Sequence, residues 1–252
     1  MSDSLVLTLL LAVTFTLAGT VKGVTGMGLP TVAMALLGTL MSPSIAAALL
    51  VIPSLVTNVW QLLRGPHLHT VVQRLWPMML AIMVSTLAGA ALLTKVDARW
   101  SGFALGGVLV AYVLHGLLAP ALQVPGWVER RFSPAVGVVT GIVTGATGVS
   151  VIPVVPWLQS LDMEREVLVQ AFGLSFTVST FALAMGLWMQ GAFALSTLGL
   201  STLSVLPALA GMWLGQKIRA RISPRRFRQC LLMFLLLLGL QLLLRPVLSS
   251  WG

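Results

Sequence analysis

Apolar runs of about 20 residues, the length that carries an α-helix across some 30 Å of hydrocarbon, follow one another along this chain with only short connections between them. The clearest are 44–63, 75–94, 101–119, 167–189, 192–215 and 230–244. With 58% hydrophobic and 8% charged residues, the chain cannot hide its apolar surface in a water-soluble core; a globular domain carries about 25% charged residues. The expected fold is an all-α polytopic membrane protein, a single membrane domain over residues 1–252, with about 8 to 10 membrane segments. The N-terminus begins Met1-Ser2-Asp3-Ser4 and lacks the positive region of a cleavable signal peptide, so the first apolar run is expected to be retained in the membrane.

The formal net charge of +9 would suggest nucleic acid in a soluble protein. Here the basic residues sit in the connections between apolar runs, as topology and anionic headgroups require, so the expected partners are the lipid bilayer and a small molecule, with no nucleic acid. Cys230 is the single cysteine, which excludes an internal disulfide and a thiolate metal cluster. No metal or cofactor is expected. The sequence leaves open whether the chain pairs with a second copy as a homodimer.

Two patterns recur at one spacing. Gly-x-Thr-Gly stands at Gly23, Thr25, Gly26 and again, 122 residues on, at Gly145, Thr147, Gly148. Lys-x-x-Ala-Arg stands at Lys95, Ala98, Arg99 and, at the same offset of 122, at Lys217, Ala220, Arg221. Leu87-Ala88-Gly89 with Leu209-Ala210-Gly211, Gly19 with Gly141 and Ser101 with Ser223 keep that offset. The expectation is two repeats, 5–119 and 134–248, joined by a connection over 120–133.

Two apolar regions differ from the plain spans. One is interrupted by Lys22-Gly23-Val24-Thr25-Gly26-Met27-Gly28-Leu29-Pro30 and the other by Thr144-Gly145-Ala146-Thr147-Gly148-Val149-Ser150-Val151-Ile152-Pro153. Glycine costs about 1 kcal/mol and proline about 3 kcal/mol relative to alanine in a helix, so a break is expected at each. Unpaired backbone persists in a membrane only where protein buries it or a water-filled cavity meets it, which is where transporters bind substrates. A half-helix beginning after each break would aim its dipole at an anion, with Thr25 or Thr147 offering a hydroxyl and Gly26 or Gly148 a free backbone N–H. The competing reading is that these glycines only let helices pack closely.

Lys22 is the one charge that these boundaries place deep in an apolar run, either as an anion-binding group or snorkelling to an interface; its repeat partner is Thr144. No acid is embedded to relay protons: Asp3, Asp97, Glu129, Asp162, Glu164 and Glu166 fall at the terminus or in connections. His115 lies inside the run 101–119, as an interhelical hydrogen-bonder or a proton relay. Thr57 and Asn58 map by the offset onto Ser179 and Thr180, and these four either line the same cavity or bond helix to helix.

If each broken region is a pair of half-helices returning to its starting side, each repeat has three full crossings and the repeats are inverted. Eleven basic residues then fall on one side and three (Lys95, Arg99, Arg245) on the other. Parallel repeats split them 9 to 5. The positive-inside rule favours inversion, with both termini outside.

The stretch Gly19 to Pro30, Ala46-Ala47-Ala48 before the next span, Thr140 to Gly148 with Pro153, and Gln170-Ala171 resemble the TauE/SafE family of bacterial sulfite exporters. The fuller glycine run of that family is interrupted here by Met27 and Leu29 in one copy and by Val149, Ser150 and Val151 in the other. The resemblance covers nearly the whole chain and implies export of sulfite or an organosulfonate such as sulfoacetate or sulfolactate across the bacterial cytoplasmic (inner) membrane. The expected function is a secondary transporter working by alternating access at a midplane site, with an anion channel as the first alternative and an intramembrane enzyme as the second. No His-Glu-x-x-His or Gly-x-Ser-x-Gly is present, and Gly173-Leu174-Ser175 with His115 is a weak match to a hydrolase, so no catalytic residue is expected.

Overall fold

The computed structural model describes residues 3–118, 123–219, 221 and 223–248. Met1, Ser2, residues 119–122 and Ala220 of the second Lys-x-x-Ala-Arg copy lie outside the described residues. Eleven helices are described: α1 Asp3–Thr25, α2 Leu29–Leu40, α3 Pro43–Arg64, α4 Leu68–Lys95, α5 Ala98–Leu118, α6 Gly126–Thr147, α7 Val154–Ser160, α8 Arg165–Met189, α9 Leu195–Leu203, α10 Val205–Arg219 and α11 Pro224–Leu248. Seven described helical segments are long and apolar enough to cross a membrane: α1, α3, α4, α5, α8, α11 and the run Thr197–Arg219 shared by α9 and α10. The chain is a multi-pass membrane protein. Leu9, Val13, Leu80, Val84, Leu237 and Leu244 are exposed around its circumference, where acyl chains replace water.

Both expected breaks are present, and their arms are unequal. Rather than two half-helices, α1 has 23 residues and α6 has 22, each long enough to span about 33 Å. Only the second arms are short, 12 residues in α2 and 7 in α7. The expected connection 120–133 is also shorter, because Gly126 to Ser133 already belongs to α6. Its charged start read as a loop, yet Glu129 is held by a two-pronged ion pair with Arg74 of α4, with N–O distances of 2.7 and 2.8 Å. The paired carboxylate lets the helix begin early.

Pro53 removes a backbone donor inside α3, and α9 compensates: Ser201 Oγ donates to the Leu49 carbonyl at 2.7 Å and accepts from the Ile52 N–H at 3.3 Å. A carbonyl that would be unpaired in hydrocarbon is thereby satisfied.

Two tight helix pairs frame the molecule. A Cβ added at Gly23 would lie 2.2 Å from the Met212 carbonyl of α10, and one at Gly145 would lie 2.7 Å from the Ala90 nitrogen of α4. Gly19 meets Ala208, and Gly141 meets Thr86. In each pair contact positions rise together along both chains, so α1 runs parallel to α10 and α4 to α6. By contrast α3 and α8 are antiparallel, since Asn58 meets Thr180, Leu62 meets Gly173 and Gly65 meets Gln170. α5 and α11 are antiparallel too, with Gly106 against Leu242 and Gly116 against Leu232.

Close approach of backbones through glycine is a main source of cohesion in lipid, where water no longer drives helices together. Gly23→Ala and Gly145→Ala are therefore expected to lower the melting temperature of the purified protein in detergent, at about 1–3 kcal/mol each. Gly107→Ala, whose added Cβ meets nothing within 4 Å, serves as the control and should be neutral or stabilising. Equal behaviour of all three variants would contradict this packing.

Candidate functional site

The two Thr-Gly breaks are built alike. Gly26 and Gly148 have φ of +80° and +73°, the left-handed region that ends a helix without a Cβ clash. The Gly26 N–H donates to the Lys22 carbonyl and the Gly148 N–H to the Thr144 carbonyl, both at 2.8 Å. Contrary to expectation, these amides are not free for a ligand; they close the last turns of α1 and α6. Thr25 and Thr147 reinforce the same caps. Their hydroxyls donate back to Val21 O (2.9 Å) and Val143 O (2.7 Å) and accept from the amides of Met27 and Val149. Gly23 and Gly145 stand in the helix pairs described above.

Lys22 points from the last turn of α1 into the protein and is 2% exposed. Its ammonium donates to Asn58 Oδ1 of α3, and Asn58 Nδ2 reaches Thr180 Oγ1 of α8 at 3.4 Å. Thr180 donates to the Phe176 carbonyl. Three residues singled out in the sequence, Lys22, Asn58 and Thr180, thus form one hydrogen-bonded chain from α1 through α3 to α8. Among the described residues the only ion pair within 4.0 Å is Arg74 with Glu129, so no carboxylate neutralises Lys22. Two of its three N–H donors remain for another acceptor.

The other expected residues lie beside this chain in sequence without joining its bonds. Thr57 donates to Pro53 O and Thr144 to Thr140 O, both within their own helices. Ser179, next to Thr180, is fully buried and its hydroxyl has no partner; the same is true of Ser54, one turn before Asn58. Ser175 donates to Ala171 O, so its hydroxyl is not poised for attack.

A cavity of about 260 Å³ opens beside the first break. Thr25, Met27, Gly28 and Thr31 form one wall, Tyr112 and His115 of α5 another, and Phe172, Leu231 and Leu235 supply apolar surface. Arg165, Arg219 and Arg228 also line it, and no carboxylate does. Of these residues the sequence reading singled out Thr25 and His115. The arginines were legible only as topology signals, because they come from α8, α10 and α11 and meet through the fold.

Asn58 is the only hydrogen-bond partner recorded for the buried Lys22 ammonium. Asn58→Ala is expected to destabilise the ligand-free protein by about 1.5–3 kcal/mol, since it strands a charged donor. The double variant Lys22→Met, Asn58→Leu should recover much of that loss in thermal denaturation. An Asn58→Ala protein that melts like the wild type would show that the pair contributes nothing to stability.

The family model for the sulfite exporter TauE/SafE matches residues 11–242. No curated protein and no solved structure matches the chain significantly. A match over nearly the whole length, on a polytopic helical fold with a buried, uncompensated lysine beside a glycine-broken helix, gives the assignment: this chain belongs to the TauE/SafE sulfite exporter family.

Proposed function

We propose that the protein is a secondary transporter that moves a small anion, sulfite or an organosulfonate such as sulfoacetate, out across the bacterial cytoplasmic membrane by alternating access at a midplane site. Lys22 carries the reading. A buried ammonium with an amide partner and no counter-ion is costly inside a membrane segment, by up to about 3 kcal/mol, and a bound anion supplies the missing charge. Asn58 and Thr180 hold the lysine in place, and their sequence neighbours Thr57 and Ser179 are buried, Ser179 with an unpartnered hydroxyl. The caps at Thr25-Gly26 and Thr147-Gly148 are where the two broken segments turn, while Gly23 and Gly145 hold the long arms against α10 and α4 and Thr144 bonds within α6. The family's description supports a sulfur oxyanion as the cargo.

The same reading takes residues 5–119 and 134–248 as inverted repeats. Its support is the offset of 122 between Asn58 and Thr180, which meet each other across antiparallel helices. The contacts Gly23 with Met212 and Gly145 with Ala90 also exchange under that offset. The arginine-rich side then faces the cytoplasm.

Uptake of labelled sulfite into proteoliposomes of the purified chain tests the function. Saturable flux is expected, with sulfoacetate competing, and Lys22→Gln should reduce it about tenfold or more. Flux without saturation would favour a channel; wild-type rates in Lys22→Gln would remove the site. Topology is tested separately in a Cys230→Ser background. Single cysteines at Asp97 and Ser223 are expected to react with an impermeant maleimide from opposite faces, and labelling from one face would overturn the inversion.

A further inference from the structure

The cavity beside the first break holds a set of anion-binding features that the second break lacks. α2 begins at Leu29 after Gly28, and its first turn adjoins the cavity through Gly28 and Thr31. A helix N-terminus is the positive end of the dipole and leaves amides without helical partners; in this turn Pro30 has no N–H and the Val32 N–H bonds to the Gly28 carbonyl, which leaves the amides of Leu29 and Thr31. Thr31 is 1% exposed, its hydroxyl has no partner, and it lines this cavity. Arg165, Arg219 and Arg228 line the same cavity; Arg228 gives one N–H to the Gly116 carbonyl at 3.1 Å and keeps the rest. Glu166 follows Arg165 but lines a neighbouring cleft, together with Arg64, Arg165 and Arg219.

At the matching positions 122 residues away the hydroxyl and the three arginines are absent, and the helix that follows the break is shorter. Pro153, which has no N–H or hydroxyl, stands for Thr31, and α7 has only 7 residues. Pro43, Asp97 and Gly106 stand for Arg165, Arg219 and Arg228. The region is also closed: Met34, Leu37, Ala46, Ala47, Leu50, Val149 and Ser150 are buried, and a Cβ at Gly148 would lie 3.0 Å from Met34 Cε. Lys95 and Arg99 do not break the comparison, since Lys217 and Arg221 answer them.

We infer that the first turn of α2, the Thr31 hydroxyl and the Arg165, Arg219 and Arg228 guanidinium groups form a one-sided loading site for a sulfonate or sulfite oxyanion. It captures the anion from the arginine-rich face before transfer to Lys22, and has no equivalent on the opposite face. The inference rests on the transport reading for its role, and on the cavity alone for binding. An anion entering between three cations and a helix N-terminus is concentrated by their field, and leaves toward a face where Asp97 replaces an arginine.

Two measurements test it on the full-length protein: equilibrium binding of sulfite and sulfoacetate in neutral detergent, and KM from each face of orientation-sorted proteoliposomes. Thr31→Val should weaken binding about tenfold or more, the loss of a hydrogen bond to a charged ligand. The triple Arg165→Gln, Arg219→Gln, Arg228→Gln should raise KM about tenfold from the arginine-rich face only. Replacing the same three by lysine should recover most of the affinity. Wild-type flux with binding and KM unchanged in these variants, or changed equally from both faces, overturns the loading site and leaves the carrier standing. Binding that Thr31→Val and the triple variant weaken, in a wild-type protein without flux, upholds the site and removes the carrier. Absence of both binding and flux removes both.

Discussion

A peptide group in hydrocarbon has no water to bond, and that single constraint organises the rest of this molecule. At Pro53 and at both glycine breaks the departure from regular helix comes with a substitute partner. The Leu49 carbonyl freed by Pro53 is taken by Ser201 of α9, and the ends of α1 and α6 are closed by glycines in the left-handed region whose amides bond back. The breaks are thus finished structures with their own hydrogen bonds. At a few places this satisfaction is incomplete. Among the described residues those places are the hydroxyls of Thr31, Ser54, Thr86, Ser101 and Ser179, together with the Lys22 ammonium, whose one partner is Asn58.

Glycine serves two different ends here. At Gly26 and Gly148 a positive φ is required, while at Gly23, Gly145, Gly19 and Gly141 the requirement is for contact, with neighbouring backbone occupying the space of a side chain. One Gly-x-Thr-Gly pattern therefore couples a hinge to a weld: its first glycine anchors the helix to a partner and its last ends that helix three residues later. A broken segment of this form can change direction at the cap while the long arm stays fixed to α10 or α4.

Much of this was legible in the sequence, for identifiable reasons. Hydropathy and length located the spans, because lipid selects for both. The breaks at Gly26 and Gly148 announced themselves through glycine and proline, and Lys22 through the cost of its charge. The long arms of α1 and α6 were not legible as such: a glycine interruption reads the same whether it follows half a helix or a whole one. Nor was the start of α6 at Gly126, since the partner that admits Glu129 is Arg74, 55 residues away. The cavity was hidden for the same reason, its arginines arriving from three helices that only the tertiary structure brings together.

The chain from Lys22 through Asn58 to Thr180 lies where α3 and α8 cross, and it is not symmetric. Thr144 occupies the position 122 residues from Lys22, and its hydroxyl turns back to its own helix. Two identical halves assembled about such a crossing would bring two ammonium groups to the centre, each repelling the other in a medium that screens charge poorly. A single continuous chain escapes that arithmetic. It can keep one cation beside that crossing and a neutral hydroxyl at the position 122 residues away, so that no second ammonium has to be accommodated.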